Sequence, residues 1–277
     1  MAGGPEPAPT SYFRFSRMRI LAFFFVRFAV ECADAHIHIA DCVNWRLPPD
    51  TVVCSSAHSW KEFQLVERAV QEHPGRVAAS FGIHPQNPDA TLYPVLEELA
   101  CQKRIQAVGE AGFDLFTPEL AAGLPQQLEV WHLQLELAKK YQLPLVVHCR
   151  KAMDKVFMYT KELKALPAVV FHAYPGSLQE AGNLLRRGVN AYFSFGKELI
   201  RGRRNSIQCV ESLPLERLLA ETDAPYQTLR HQAATPPEDI ELVYGEFAKI
   251  CGVGEVGLKA QLLSNFFSLF HSGAKEG

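Results

Sequence analysis

No Cys-x-x-Cys pair occurs in the 277 residues. The seven cysteines, Cys32, Cys42, Cys54, Cys101, Cys149, Cys209 and Cys251, are odd in number and scattered, so they read as reduced thiols of a cytoplasmic protein. Excess positive charge is also missing: the formal net charge is -2. That excludes a general basic coat for nucleic acid, and a polyanion would have to be held locally, by metals or a few basic side chains. Long apolar runs are absent too. Ile20–Val26 offers 7 residues before Arg27, far too short to span a bilayer, and no membrane partner is expected. There is no internal repeat and no long low-complexity block. No Gly-x-Gly-x-x-Gly turn follows an early strand, which argues against an open doubly wound sheet.

What remains is an ordinary globular composition, 48% hydrophobic and 21% charged, able to bury one large core. Residues 1–32 read as an N-terminal extension, disordered or partly helical, and residues 33–277 as a single domain. Met1–Ser11 is rich in Gly, Pro and Ala. Arg14, Arg17 and Arg19 ahead of an apolar stretch leave a signal peptide open as a second reading. No small-x-small cleavage site precedes Asp34, however, and removing the segment would trim the first strand.

Short, unbroken apolar runs alternate with helical patterns along the rest of the chain. The expected strands are Ala33–Ile39, Thr51–Ser55, Val77–Phe81, Ile105–Val108, Leu143–Val147, Ala168–Phe171, Asn190–Phe195 and Leu215–Ala220. Helical spacing marks Trp60–His73, Tyr93–Cys101, Pro125–Tyr141, Met153–Leu166, Leu178–Arg187, Pro237–Cys251 and Glu255–Phe270. Apolar strands alternating with helices imply a parallel sheet covered on its outside, and eight repeats imply a closed α/β barrel, the (β/α)8 TIM barrel.

Polar residues fall at the same place in successive repeats. Asp34, His36 and His38 share one face of the first strand; His84, Glu110, His148, His172 and Asp223 follow the third, fourth, fifth, sixth and eighth. In such a barrel the carboxyl ends of the strands form one rim, where active sites sit. Singly, each residue has a bland reading: His148 as a satisfied core histidine, Glu110 as a helix-start carboxylate, Asp223 as a turn cap. Together they would leave several buried polar groups unpaired at one rim, a cost that a metal removes. Four histidines with Glu110 and Asp223 exceed the needs of one tetrahedral ion. Two divalent ions (Zn, Mn or Mg) fit better, with Glu110 bridging one on His36 and His38 and another on His148 and His172. Such pairs clamp the attacking and leaving oxygens of a phosphoryl displacement, and Asp223 would orient or deprotonate the water. His58, His73, His132, His231 and His271 are expected on helices or loops, pointing elsewhere.

From Asp34 to about Phe270 the chain resembles the TatD-type metal-dependent hydrolases, within the amidohydrolase-like metal barrels. The matching pieces are Asp-Ala-His-Ile-His, Gly-Ile-His-Pro, Val-Gly-Glu-Ala-Gly-Phe-Asp, Val-Val-His-Cys-Arg, Phe-His-Ala-Tyr-Pro-Gly and Leu-Ala-Glu-Thr-Asp-Ala-Pro-Tyr. The resemblance implies metal ligands at His36, His38, Glu110, His148, His172 and Asp223, and substrate-phosphate contacts from His84 and Arg150. It also implies a deoxyribonuclease activity, often 3′-to-5′ exonucleolytic, on DNA or another phosphodiester; the working form is expected to be a monomer. Hydrolysis of another ester or amide, such as a lactone, cyclic amide or aminoacyl ester, is the alternative, since one fold serves many reactions. The chain departs from the family at Ala173, Tyr174 and Pro175, where a Cys-Phe-Ser/Thr pattern is usual, and at Cys149, where serine is common. Lys197, Arg201, Arg203 and Arg204, with Arg150 and Lys151, could track a phosphate backbone or equally form a solvated helix face, and Tyr174, Tyr226 and Phe113 could stack on a terminal base, although aromatics near strand ends more often pack.

Overall fold

The computed structural model describes residues 31–270. Eight strands pair in parallel in chain order: β1 (Cys32–Ile37), β2 (Thr51–Ala57), β3 (Val77–Phe81), β4 (Ala107–Asp114), β5 (Leu145–Arg150), β6 (Val169–Phe171), β7 (Ala191–Phe195) and β8 (Leu218–Ala220). Just beyond β8 the chain closes the ring onto β1. Asp223 N donates to His36 O at 2.9 Å, and His38 N donates to Ala224 O at 2.8 Å. Helices α1 (Trp60–Glu72), α2 (Tyr93–Cys101), α3 (Pro118–Ala122), α4 (Leu124–Tyr141), α5 (Met153–Met158), α6 (Thr160–Leu163), α7 (Leu178–Arg186), α8 (Arg204–Ser212), α9 (Ile240–Cys251) and α10 (Glu255–Phe270) complete the described chain. The expected (β/α)8 TIM barrel is what forms.

Two apolar layers hold it. Outside the sheet, Phe81, Val108, Val147, Phe171 and Phe193 pack against Phe63, Leu96, Trp131, Leu184 and Phe247 of the helices. Each such fully buried side chain contributes roughly 1.5–3 kcal/mol relative to exposure. The second layer joins Cys54, Ala78, Ala107, Val146, Val170 and Leu219 of the strands to Phe266, Leu269 and Phe270 of α10. Small strand residues leave room there for aromatic rings from the last helix, which stopper that end of the barrel.

Several boundaries differ from expectation. β4 runs on to Asp114 because Ala111–Asp114 still pairs with Val147–Arg150 of β5. Glycine makes that approach feasible: a Cβ on Gly112 (φ +143) would lie 2.0 Å from His148 O. The helix expected over Met153–Leu166 breaks at Tyr159 into α5 and α6, and α8 was not foreseen. β2 continues to Ala57, two residues past the expected end. The expectations for the N-terminal extension lie outside the described residues, apart from Glu31 and Cys32. All seven cysteines are free, and among the described residues no helix is long and apolar enough to cross a membrane.

Candidate metal centre

One carboxylate organises the mouth of the barrel. Glu110, on β4, is 2% exposed, and each of its oxygens is surrounded by imidazole nitrogens. Around Oε2 lie His58 Nε2 at 2.9 Å, His38 Nε2 at 3.3 Å and His36 Nε2 at 3.4 Å. Around Oε1 lie His172 Nε2 at 2.7 Å, His148 Nδ1 at 3.4 Å and His84 Nε2 at 3.7 Å. Burial alone would favour the neutral acid, but the charges of His36 and His172 outweigh it and hold Glu110 well below the usual carboxylate range.

Asp223 follows β8 with a left-handed backbone (φ 54), a conformation sparsely populated outside glycine and common at functional sites. Its buried Oδ1 has no hydrogen-bond partner and lies 3.3 Å from His38 Nε2 and 3.6 Å from His36 Nε2. Burial would raise its pKa, yet the facing His38 and His36 hold it below the ordinary value. His38 answers in the opposite direction: burial would lower it, but Asp223 and Glu110 raise it. His36 is lowered, chiefly by burial.

The ligands have backing partners. His148 Nε2 donates to Asp114 Oδ2 at 3.1 Å, whereas His172 Nδ1 has no hydrogen-bond partner, Glu221 Oε1 lying 3.8 Å away. His36 Nδ1 meets Ser56 Oγ at 3.4 Å. Asp34 turns away from the cluster to accept Thr222 Oγ1 and N at 2.6 and 3.0 Å, tying β1 to the Glu221–Asp223 segment. All the residues expected as ligands, His36, His38, Glu110, His148, His172 and Asp223, therefore meet at one rim. His84 borders the same carboxylate. Arg150 lines the cavity with its guanidinium 3.5 Å from Asp114 Oδ2 and 4.0 Å above the Phe116 ring.

A cation suits this cluster on chemical grounds. Ligand atoms of His36, His38 and Asp223, and of His36, Glu110 and His172, lie within 4.8 Å of one another, as do those of His84, Glu110 and His148. His36 Nε2 and His38 Nε2 approach to 3.2 Å, and His148 Nδ1 and His172 Nε2 to 3.1 Å. Bare imidazole nitrogens aimed at one another, beside an orphaned buried Asp223 oxygen, are the arrangement that a divalent cation relieves.

Four expectations need correction. His58 does not point elsewhere. β2 carries it to the rim, where the Glu62 carboxylate of α1 accepts its backbone N–H at 2.7 Å. The signal was its place just past an apolar run, as with His84; ending that strand at Ser55 hid it. Lys197 cannot track phosphate: it is fully buried and paired with Asp239 at 2.5 Å. Phe113 and Tyr174 cannot stack on a base, being 0% and 1% exposed. Tyr226 does border the cavity, edge-on to His38 with ring centres 5.1 Å apart. Of the other four histidines assigned elsewhere, His73 packs on Trp45, His132 on Tyr159, His231 is exposed and His271 lies outside the described residues. The Cys149 thiol, buried, is pushed up to about 12 and has no nucleophilic role at neutral pH.

A ring of imidazoles and carboxylates at the carboxyl ends of eight parallel strands defines a metal-dependent hydrolase barrel. Comparison narrows this further: residues 33–271 match the family model described as TatD related DNase, and the chain belongs to that family. It is similar to the uncharacterized metal-dependent hydrolase YjjV of Escherichia coli K12, 30% identical over 214 residues, covering 73% of this chain and 80% of that one. It is also 32% identical over 182 residues to the 3′-5′ ssDNA/RNA exonuclease TatD of Pantoea ananatis, covering 63% of this chain and 68% of that one. The crystal structure of YjjV superposes with a TM-score of 0.74 at 26% identity, over 88% of this chain and 99% of that one. A TatD family hydrolase from Entamoeba histolytica shares the fold, with a TM-score of 0.70 at 17% identity over 88% of this chain and 99% of that one.

Proposed function

We propose that this hydrolase is a cytoplasmic deoxyribonuclease that removes nucleotides from DNA ends, with two divalent cations held on the two sides of Glu110. The observation that carries the reading is the division of imidazoles between the two Glu110 oxygens. His36, His38 and Asp223 would hold one cation, His148 and His172 the other, with Glu110 shared. When bound, such cations supply Lewis acidity to a phosphoryl group and bring the pKa of water toward neutrality.

The chain's own residues do the rest. Ionised Asp223, with Oδ1 unpaired, orients the attacking water and accepts its proton. His84 is neutral, its pKa pushed down to about 2 by burial. Gln86 N donates to its Nδ1 at 3.2 Å, so its proton sits on Nε2, from which it can donate to a phosphoryl oxygen without carrying charge. Arg150, beside Asp114, presents a guanidinium to the phosphate, while Arg201, Arg203 and Arg204 also line the cavity of about 800 Å³. These few cations meet the requirement that an overall acidic chain hold a polyanion locally. Seven free thiols support a reducing compartment.

The test is end-labelled single- and double-stranded DNA incubated with the purified protein and Mn²⁺, Mg²⁺ or Zn²⁺. Stepwise release of nucleotides from a 3′ end, abolished by chelation, is the expected result. Absence of release under every metal, with hydrolysis of a lactone, cyclic amide or aminoacyl ester instead, would overturn the nuclease reading.

A further inference from the structure

His58 and His84 sit side by side in the site, ring centres 5.0 Å apart, yet their hydrogen bonds assign them opposite chemistry. In His84 the inner nitrogen Nδ1 accepts from Gln86 N, leaving Nε2 as a donor. In His58 the inner nitrogen faces the Gly82 carbonyl oxygen at 3.3 Å, a group that can only accept. Nδ1 of His58 therefore carries a proton, which leaves the outward lone pair of Nε2 as the position that a cation would take. That lone pair points at Glu110 Oε2 from 2.9 Å, with His38 Nε2 on the same oxygen at 3.3 Å. Two electron-rich atoms at this separation need a proton or a cation to hold them. An Nδ1–H bonded to a backbone carbonyl, with Nε2 free, is the way proteins orient an imidazole that ligates metal.

The backbone is arranged to keep the ring there. Ser59 caps α1 by accepting Glu62 N at 3.2 Å, and the Glu62 carboxylate reaches back to accept Ser59 Oγ and His58 N at 2.8 and 2.7 Å. The ligand atoms of His38, His58 and Glu110 lie within 4.8 Å of one another.

We propose that His58 is a cation ligand, sharing the Oε2 side of Glu110 with His38. The proposal rests on the reading that divalent cations occupy the two sides of Glu110, and it adds a ligand from the end of β2 to the Oε2 side.

The experiment is calorimetric titration of full-length, chelator-stripped protein with Zn²⁺, followed by metal analysis after desalting. Wild type, His58→Ala and His58→Gln are compared, with folding checked by circular dichroism. Gln keeps an N–H that can donate to Glu110 but supplies no imidazole lone pair. Both variants are expected to weaken one class of bound Zn²⁺ by more than about tenfold, or to lose it on desalting, while the other class is unchanged. If either variant retains Zn²⁺ as wild type does, His58 only hydrogen-bonds Glu110 and the proposal is overturned. Should His58→Ala not fold, His58→Gln alone decides. Wild-type protein that binds no Zn²⁺ would sink the cation reading and this proposal together, whereas wild-type binding with indifferent variants removes the proposal alone.

Discussion

The two oxygens of Glu110 face different halves of the rim, and the halves are backed differently. On the Oε1 side, His148 hydrogen-bonds the Asp114 carboxylate, and His172 Nδ1, with no hydrogen-bond partner, has the Glu221 carboxylate 3.8 Å away. On the Oε2 side, His36 leans on the Ser56 hydroxyl and His58 on the Gly82 carbonyl. A carboxylate behind an imidazole makes it a stronger base and a tighter ligand than a neutral group does. On the two-cation reading proposed above, the Oε1 half would keep its cation, and the Oε2 half, with the orphaned Asp223 oxygen, would exchange one or handle water. Division of labour follows from which residues stand behind the ligands, not from the ligands themselves.

The severest way to break this comparison is to remove the shared member. Glu110→Ala takes a ligand from both halves, and nuclease turnover measured with metal present is expected to fall at least about a thousandfold. Asp223→Asn disables only the Oε2 half: turnover should fall similarly, while metal analysis still finds the Oε1-side cation. Wild-type turnover in either variant would defeat the assignment.

The carboxylates behind the Oε1 half crowd one another. Glu198, which lines the cavity with Oε2 unpaired, is pushed from 4.5 up to about 7 by burial and then by the charge of Glu221. Because its folded value is the higher one, the stability from keeping it protonated is complete below about 4.5 and is lost as pH rises through about 7. Glu198→Gln removes that loss. Denaturation midpoints at fixed metal concentration should show wild type falling behind the variant between pH 5 and pH 8 by up to roughly 3 kcal/mol. A constant gap across that range would show that Glu198 is not a strained carboxyl.

Asp114→Asn sharpens the comparison directly. It leaves every ligand in place but takes the charge from behind His148, so the Oε1-side cation should bind about 10–100-fold more weakly. Wild-type protein should lose metal to a chelator in two phases, and the variant should bring the slow phase toward the fast one. A single phase in wild type would erase the difference between the halves.

Much of this rim was legible because parallel strands end at one place. Apolar runs such as Leu143–Val147 and Ala168–Phe171 announce that a strand is nearing its carboxyl end, and the next polar residue, His148 or His172, then lies at the rim. His58 was missed because Ser55 and Ser56 look like the end of a strand. In the barrel Ser56 hydrogen-bonds Ser80 at 2.7 Å, so two polar residues pair inside and β2 runs on. Lys197 misled in the other direction, since a basic side chain near other basic residues gives no sign that Asp239, far along the chain, neutralises it. The backing groups were hardest to see. Asp114 was noted only as the end of a motif, and its contacts with His148, Gln86 and Arg150 come from three other segments.

Those contacts also join the Oε1 half to the substrate side, and Phe116 tests the link most gently. Its ring is 49% exposed, a position that burial cannot explain, and Arg150 and Lys151 stand over it at 4.0 and 4.5 Å. Asp114 Oδ1 accepts Phe116 N at 2.9 Å while Oδ2 meets both His148 and Arg150, so one carboxylate sets the ligand, the arginine and the ring on which the arginine rests. Phe116→Ala would free the guanidinium without touching a ligand. A partly exposed cation–π contact is worth about 1 kcal/mol, so KM for DNA should rise about fivefold with kcat within about twofold, and Phe116→Trp should restore it. An equal fall in kcat would instead mean that the ring supports the Oε1 ligands through Asp114, and that the two halves of the centre differ less from the substrate wall than from each other.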